Sequence, residues 1–267
     1  MPSDIKCLCV IGNQRSGTTA FRSFLESSGR FYDCGEIAQD ADHVVSFPRF
    51  CAERDIRASD LLKDQKLSLL FDEFLNFAIK TSAGRFPVFD VKFNAFFATQ
   101  ALWRYPTDLP LFLRKLEALG THFIFMYRKD LLEQVLSFYI AQHSDRWHNV
   151  KENEVTNGMY LDANECVRMA RSILEAERIC RIWFDQITSY EEIYYEGLFE
   201  NENVSAKKIE KISSLFNIEF ESLSTHFHRN LVKKRSVIEN IQEIEEAFKS
   251  LDKVLLESSI EMRYSFR

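Results

Sequence analysis

The sequence predicts an α/β fold, a three-layer α/β/α arrangement with a central parallel sheet. Three observations lead there. Short apolar runs at 7–11, 86–93 and 122–127 alternate along the chain with stretches of helical periodicity, the order expected of a parallel sheet covered on both faces. The run at 122–127, His-Phe-Ile-Phe-Met-Tyr, is continuous rather than alternating, as when both faces of a strand are buried. No repeat, low-complexity segment or break in composition interrupts the 267 residues. Residues 1–267 are therefore read as a single domain, of a length that suits one large core.

Taken in order, residues 7–11 form the first strand and about 17–28 its helix, ending near Gly29. The stretch Phe31-Tyr32-Asp33-Cys34-Gly35-Glu36 is expected to run out as a loop. Residues 40–60 mix charge and aromatics without a period and suit an excursion over a site. Residues 60–80 are helical, with Leu61, Leu62, Leu69, Leu70, Phe74 and Phe77 recurring on one face. A second buried strand covers 86–93, and a short helix covers 109–119 before Gly120. The third strand at 122–127 is closed by Arg128. An amphipathic helix over 129–142 then buries Leu132, Val135, Leu136, Tyr139 and Ile140.

Residues 143–160 are polar and irregular. Asp162 is placed to cap a long helix to about Phe184, with Met169, Ile173, Ala176, Cys180 and Trp183 as its stripe. A short strand is expected at 187–190, and Glu191-Glu192 would open another helix. Ser205 would cap 206–216, residues 226–238 are basic and irregular, and a last helix runs over about 239–257.

Composition narrows the function. An apolar content of 46% marks a globular chain. A formal net charge of −6 argues against general nucleic-acid binding, which calls for a basic face. Any anionic ligand must be held by local positive groups. No apolar run approaches a membrane span, and Asp4 and Lys6 precede only a short apolar stretch, unlike a secretory signal. Six cysteines lie scattered without metal-type spacing, which fits a reducing cytoplasm and no metal centre.

The stretch Gly12-Asn13-Gln14-Arg15-Ser16-Gly17-Thr18-Thr19 stands between the first strand and its helix. Loops of this kind aim backbone N–H groups at an anion, and the helix N-terminus adds partial positive charge. The glycine spacing is that of a P-loop and points to a P-loop, nucleotide-kinase-like version of the fold. Yet Thr18 stands where a triphosphate-binding loop needs lysine, and the basic residue comes earlier, at Arg15. Such a loop is poorly suited to a triphosphate and better suited to one phosphate with a cation beside it.

That loop resembles the 5′-phosphosulfate loop of the sulfotransferases that depend on PAPS, 3′-phosphoadenosine 5′-phosphosulfate. It departs from the family pattern at Gln14, where proline is usual, and at Ala20, where tryptophan is common. A second stretch, Tyr127-Arg128 followed by Ser137 nine residues after the arginine, resembles the family's 3′-phosphate motif. Arginine offers a fork of donors to a phosphate, and a helix-borne hydroxyl adds a neutral one. The resemblance implies PAPS as co-substrate, no metal, a cytoplasmic enzyme, and an acceptor hydroxyl on a carbohydrate or glycolipid. Bacterial enzymes of the trehalose and nodulation-factor kind are the nearest in pattern. A homo-oligomer is compatible with it.

The implied roles follow. Arg15, Ser16, Gly17, Thr18 and Thr19 would hold the 5′-phosphosulfate, with Arg15 stabilising charge on the leaving phosphate. Arg128 and Ser137 would take the 3′-phosphate, joined by a late basic run, Lys233, Lys234 and Arg235. Lys92, at a strand end on the side where open α/β sheets bind ligands, would lie near the transferred sulfate. Glu36, in Gly35-Glu36-Ile37, is one choice of general base. His143 is the other, ahead of His43 and His148. Two alternatives stand beside this reading: a P-loop kinase or other NTPase, and a non-catalytic module that binds adenosine 3′,5′-bisphosphate.

Overall fold

The computed structural model describes residues 7–38, 43–93, 108–144, 158–200, 203–204, 206–220, 234–249 and 251. The sequence readings at Ser205, at His148, at Lys233 and beyond residue 251 lie outside the described residues. Contacts divide the chain into two compact units, Met1–Tyr127 with Arg181–His226, and Arg128–Cys180 with Phe227–Arg267.

The first unit is built on a five-stranded sheet of β1 (Cys7–Gly12), β2 (Phe31–Glu36), β3 (Phe86–Lys92), β4 (Thr121–Tyr127) and β5 (Tyr190–Tyr194). Its order is β2-β3-β1-β4-β5, and every pairing is parallel. β1 is therefore central and buried along its length. The register sets Gly12 opposite Lys92 on one side and opposite Met126 on the other. The C-terminal ends of the three middle strands thus meet where β1 runs into its loop. The strand order turns outward from β1 in both directions there, which is where such sheets bind ligands.

Helices cover both faces, as the sequence predicts. On one face, Leu8, Val10, Val88, Ile124 and Met126 pack with Phe21, Phe24 and Leu25 of α1 (Thr18–Ser27) and with Ile209, Ile212 and Phe216 of α9 (Ala206–Phe216). On the other, Phe89 meets Phe112 of α5 (Leu111–Ala118), and Phe125 meets Phe184 near the end of α7 (Ala163–Phe184). Outside α5, Phe71 and Phe74 of α4 (Asp64–Thr81) join Phe47 and Phe50 of α2 (Phe47–Ala52) in an aromatic cluster. α2 is begun by Ser46, whose hydroxyl accepts from Arg49 N, with Pro48 in its first turn. A single turn, α3 (Ala58–Leu61), joins it to α4. After β5 come α8 (Tyr195–Leu198) and a hairpin of β6 (Phe199–Glu200) and β7 (Asn203–Val204).

Two stretches differ from the sequence reading. Phe31–Glu36 is an edge strand rather than a loop. Asp33 and Gly35 are poor strand residues, and they hid it. Asp33 is held by Arg22 of α1, and Gly35 takes φ +71° where the register with β3 shifts between Asp33 and Glu36. The last strand of the five-stranded sheet is Tyr190–Tyr194 and not 187–190, so Glu191 and Glu192 open no helix. Both glutamates find cations across the unit, Lys211 at 3.7 Å and Arg181 at 3.3 Å. Tyr190 stacks on Phe184 at 4.8 Å.

The second unit gathers α6 (Leu131–Ser144), most of α7, a 3-10 turn at Lys234–Val237 and α10 (Ile241–Lys249). Asp130 caps α6 by accepting from Glu133 N at 2.9 Å. Asp162 caps α7 as expected, accepting from Asn164 N at 2.8 Å and Glu165 N at 3.3 Å. Leu131, Val135, Leu136 and Ile140 pack with Cys166, Ala170 and Ile173 and with Val237, Ile238 and Ile244. All six cysteines are buried and none is in a disulfide.

One buried group makes the first unit acid-sensitive. His122 on β4 is 2% exposed, with Nδ1 2.8 Å from Ser189 Oγ and no hydrogen-bond partner at Nε2. Burial, helped by the charge of Lys211, lowers its pKa to about 4. The unfolded chain takes up this proton near its ordinary value of about 6.5. Stability from the neutral ring is therefore present at pH 7 and is lost as pH falls from about 6.5 toward 4. We expect His122 to account for about 2 kcal/mol of lost stability between pH 7.5 and pH 5. Urea unfolding of His122→Gln at those two pH values should show a correspondingly smaller loss.

Candidate functional site

The loop after β1 is shaped by close contact. A Cβ on Gly12 would lie 2.6 Å from the Met126 carbonyl oxygen and 2.7 Å from Ser16 Oγ. Ser16 is buried, and its hydroxyl donates to the Asn13 carbonyl at 2.7 Å, closing the turn. Arg15 and Gly17 both take left-handed backbone, at φ +63° and +92°. Turns built with left-handed residues make concavities lined by backbone N–H groups that suit an oxyanion. α1 starts directly behind, with Phe21 N donating to Gly17 O, and its first turn carries no acidic side chain to compete for an anion. Thr18 is buried, whereas Arg15 and Thr19 are half-buried.

Lys92 ends β3 with 3% of its side chain exposed. Its ammonium donates to Thr18 Oγ1 and to Asp90 Oδ2, the latter at 2.9 Å, and lies 3.6 Å from Glu36 Oε1. Asp90 is also 2.9 Å from Arg22 Nε, and the Arg22 Nη1 donates to Asp33. The Arg22 N–H does not point at Asp90 well enough for a hydrogen bond, so charge holds that pair. Burial raises the Glu36 carboxyl above its ordinary value. Lys92 pulls it back, and Asp90 adds to the rise. Four sequence-predicted residues of this unit, Gly17, Thr18, Lys92 and Glu36, are thus gathered around the start of α1.

The second unit holds the other predicted set. Arg128 and Ser137 are both buried, the first directly after β4 and the second in α6. A buried arginine and a buried hydroxyl are suited to an anion with more than one oxygen. His143 is exposed in the last turn of α6. Lys234 opens the 3-10 turn. Arg235 is half exposed and faces three carboxylates, Glu245 at 2.6 Å, Glu133 at 3.3 Å and Asp130 at 3.9 Å. The segment is anchored by Met159 N to Val237 O and by Glu239 N to Met159 O, both at 2.9 Å. Asn240 brackets Leu161, accepting from its N–H and donating to its carbonyl.

Sequence reasoning missed three participants. Tyr195, the first residue of α8, lays its ring on Gly17 so closely that an added Cβ would sit 2.2 Å from Cδ2. Its signal was absent, because nothing local marks a ring that meets the loop only through the fold. Arg22 and Asp33 become partners only once the edge strand is recognised. Asp90 was legible as a neighbour of Lys92, two residues earlier on the same face of β3. Among the described residues, no group of three or more His, Cys, Asp or Glu is arranged to hold a metal ion, and no helix is long and apolar enough to cross a membrane.

Comparison with known proteins adds a family. The model of the family described as Stf0 sulphotransferase matches residues 7–215. No curated protein matches the chain. Solved structures also resemble it, two of them as follows, at low identity. One is the sulfotransferase domain of the Synechococcus PCC 7002 olefin synthase, with 15% identity, a TM-score of 0.44, and coverage of 83% of this chain and 78% of that one. Another is a sulfotransferase from Alicyclobacillus acidocaldarius, with 12% identity, a TM-score of 0.45, and coverage of 93% and 94%.

The tyrosine over the loop gives a direct test of its packing. Gly17→Ala must adopt a left-handed conformation and displace the Tyr195 ring. We expect a loss of roughly 2–4 kcal/mol in thermal or urea unfolding. Combined with Tyr195→Ala, the clash disappears and only the backbone strain of about 1 kcal/mol remains, so the two changes should be strongly non-additive.

Proposed function

The chain belongs to the Stf0 sulphotransferase family, and from that premise we propose that it transfers the sulfuryl group of PAPS to a hydroxyl of a carbohydrate or glycolipid, releasing adenosine 3′,5′-bisphosphate. The observation that carries this reading is the meeting of Lys92, Glu36 and the Thr18 hydroxyl at the start of the helix behind the loop. A cation, a carboxylate and an oxyanion-shaped turn in one place are what in-line transfer of an anionic group to a hydroxyl requires.

In this reading the acceptor oxygen attacks sulfur, forming one S–O bond as the bond from sulfur to the bridging phosphate oxygen breaks. The electron pair leaves on the nucleotide's phosphate, and the acceptor proton goes to Glu36. A carboxylate whose affinity for a proton is raised by burial is better matched to this task than an exposed one. His143 is exposed at the end of its helix, so Glu36 is the preferred base. The loop from Arg15 to Thr19 takes the 5′-phosphosulfate, with Arg15 facing the charge that develops. Lys92 supplies a second cation beside the transferred group.

Arg128 and Ser137 are assigned the 3′-phosphate. Arg235 already faces Glu245, Glu133 and Asp130, so the run of Lys233, Lys234 and Arg235 receives a lesser part in nucleotide binding. The whole of 1–267 is taken as one sulfotransferase domain working in the cytoplasm.

The test is incubation with labelled PAPS and a panel of glycans and glycolipids, read by mass for one added sulfate, with calorimetry on the nucleotides. Adenosine 3′,5′-bisphosphate should bind without a divalent ion. Tight binding of ATP with magnesium and none of the bisphosphate would replace this reading with that of a kinase. Arg15→Ala should lower kcat by roughly a hundredfold or more while the affinity for adenosine 3′,5′-bisphosphate changes by less than about tenfold. Unchanged turnover in that variant would remove Arg15 from the mechanism.

A further inference from the structure

Behind the loop of the first unit lie five charged side chains from three elements: Arg22 of α1, Asp33 and Glu36 of β2, and Asp90 and Lys92 of β3. Two cations face three carboxylates. Asp90 is the innermost, fully buried, while Asp33 and Glu36 keep 16% and 23% of their side chains exposed. Its Oδ2 is shared between Arg22 Nε and Lys92 Nζ, each at 2.9 Å, and its Oδ1 has no hydrogen-bond partner. A fully buried carboxylate oxygen without a donor costs stability and calls for an explanation. Packing alone gives none, since a carboxylate is the costliest way to fill that space.

Lys92 supplies the explanation. Its ammonium has three protons to donate on a flexible stem. It donates to Asp90 Oδ2 and Thr18 Oγ1, and Glu36 stands at the longer distance of 3.6 Å. The nearer carboxylate decides where the ammonium rests. We propose that Asp90 is a positioning residue: it holds Lys92 on the Thr18 hydroxyl and so keeps that cation from closing onto Glu36. The proposal deepens the sulfotransferase reading and rests on it for its kinetic consequences. Without the Asp90 charge, Lys92 and Glu36 collapse into a tight pair, the loop loses its second cation, and the base is neutralised by its neighbour.

The charged and titratable groups facing Glu36 are Lys92 and Asp90 of β3 and Arg22 of α1, with Asp33 on its own strand and His43 packed near Gly35. Removing the Asp90 charge and bringing Lys92 closer both lower the proton affinity of Glu36. Activity that needs ionised Glu36 appears as pH rises through that group's pKa. The acidic limb of the pH–rate profile must therefore move to lower pH in Asp90→Asn.

The experiment compares wild type with Asp90→Asn by kinetics with PAPS and by NMR titration of carboxyl-labelled glutamate, the Glu36 signal being assigned with Glu36→Gln. The variant should lose roughly tenfold to a hundredfold in kcat, keep its affinity for adenosine 3′,5′-bisphosphate within about threefold, and titrate Glu36 at lower pH than wild type. If Asp90→Asn does not fold, the double variant Arg22→Gln with Asp90→Asn removes one cation with the carboxylate and takes its place. An unmoved Glu36 titration, or an unchanged kcat, overturns the proposal. Wild type inert toward PAPS would instead overturn the functional reading, and the NMR titration would still decide the role of Asp90.

Discussion

A lysine with almost none of its surface in water must find anions, and Lys92 finds them on two strands and a hydroxyl on a helix. Burying the ammonium costs several kcal/mol before any partner is counted. The cost is offset only if β2, β3 and the start of α1 come together in one register. The same contacts that make the charge tolerable therefore fix the edge strand to the sheet and the sheet to the loop. Arg22 repeats the arrangement one layer back, tying α1 to Asp33 and Asp90. The site is held by ions whose separation would leave charges stranded in the core.

This explains which parts were legible in the sequence. The central strands could be read because they are buried on both faces and carry little but apolar residues. The loop could be read because glycine at 12 and 17 answers a steric demand from Met126 and Tyr195 that few other residues meet. The edge strands could not. β2 carries Asp33 and Gly35, and β5 carries Glu191 and Glu192, residues whose local preferences point to turns and helices. Their partners, Arg22, Arg181 and Lys211, are brought near only by the sheet itself. Long-range charge pairing overrode local propensity at both edges, and no window of sequence contains that information.

The candidate site divides the same way. Arg15 to Thr19 and Arg128 were singled out because they lie at junctions of strand and helix, and Ser137 because it follows Arg128 at a recognisable spacing, within α6. Arg22, Asp33 and Tyr195 were not singled out, because their importance comes from what they touch. The late basic run has surroundings that its sequence does not show. Three adjacent cations suggest an anion site, yet Arg235 is surrounded by Asp130, Glu133 and Glu245 within its own unit. The charge that looked available from composition is already facing carboxylates. Exposed pairs of this kind are individually weak, so a strongly charged ligand is able to compete for the guanidinium.

The presence of arginine at position 15 of the loop is intelligible on the same physical ground. Arginine stays charged and is a poor proton donor, so Arg15 is suited to stabilising charge rather than to protonating a leaving group. A departing phosphate needs no proton: with a second pKa of about 6 it leaves readily as an anion at neutral pH. What it needs is positive potential that strengthens as its charge grows. In the proposed transfer the proton that must be managed is the acceptor's, and Glu36 is the group assigned to take it. On the proposed assignment, an arginine in the loop and a lysine restrained by Asp90 beside the carboxylate keep these two tasks on separate groups. A lysine free to move between them would neutralise the base while leaving the loop short of charge. In the proposed reading, restraint of Lys92 thus lets two cations and one carboxylate act as a transfer site rather than as a closed salt bridge.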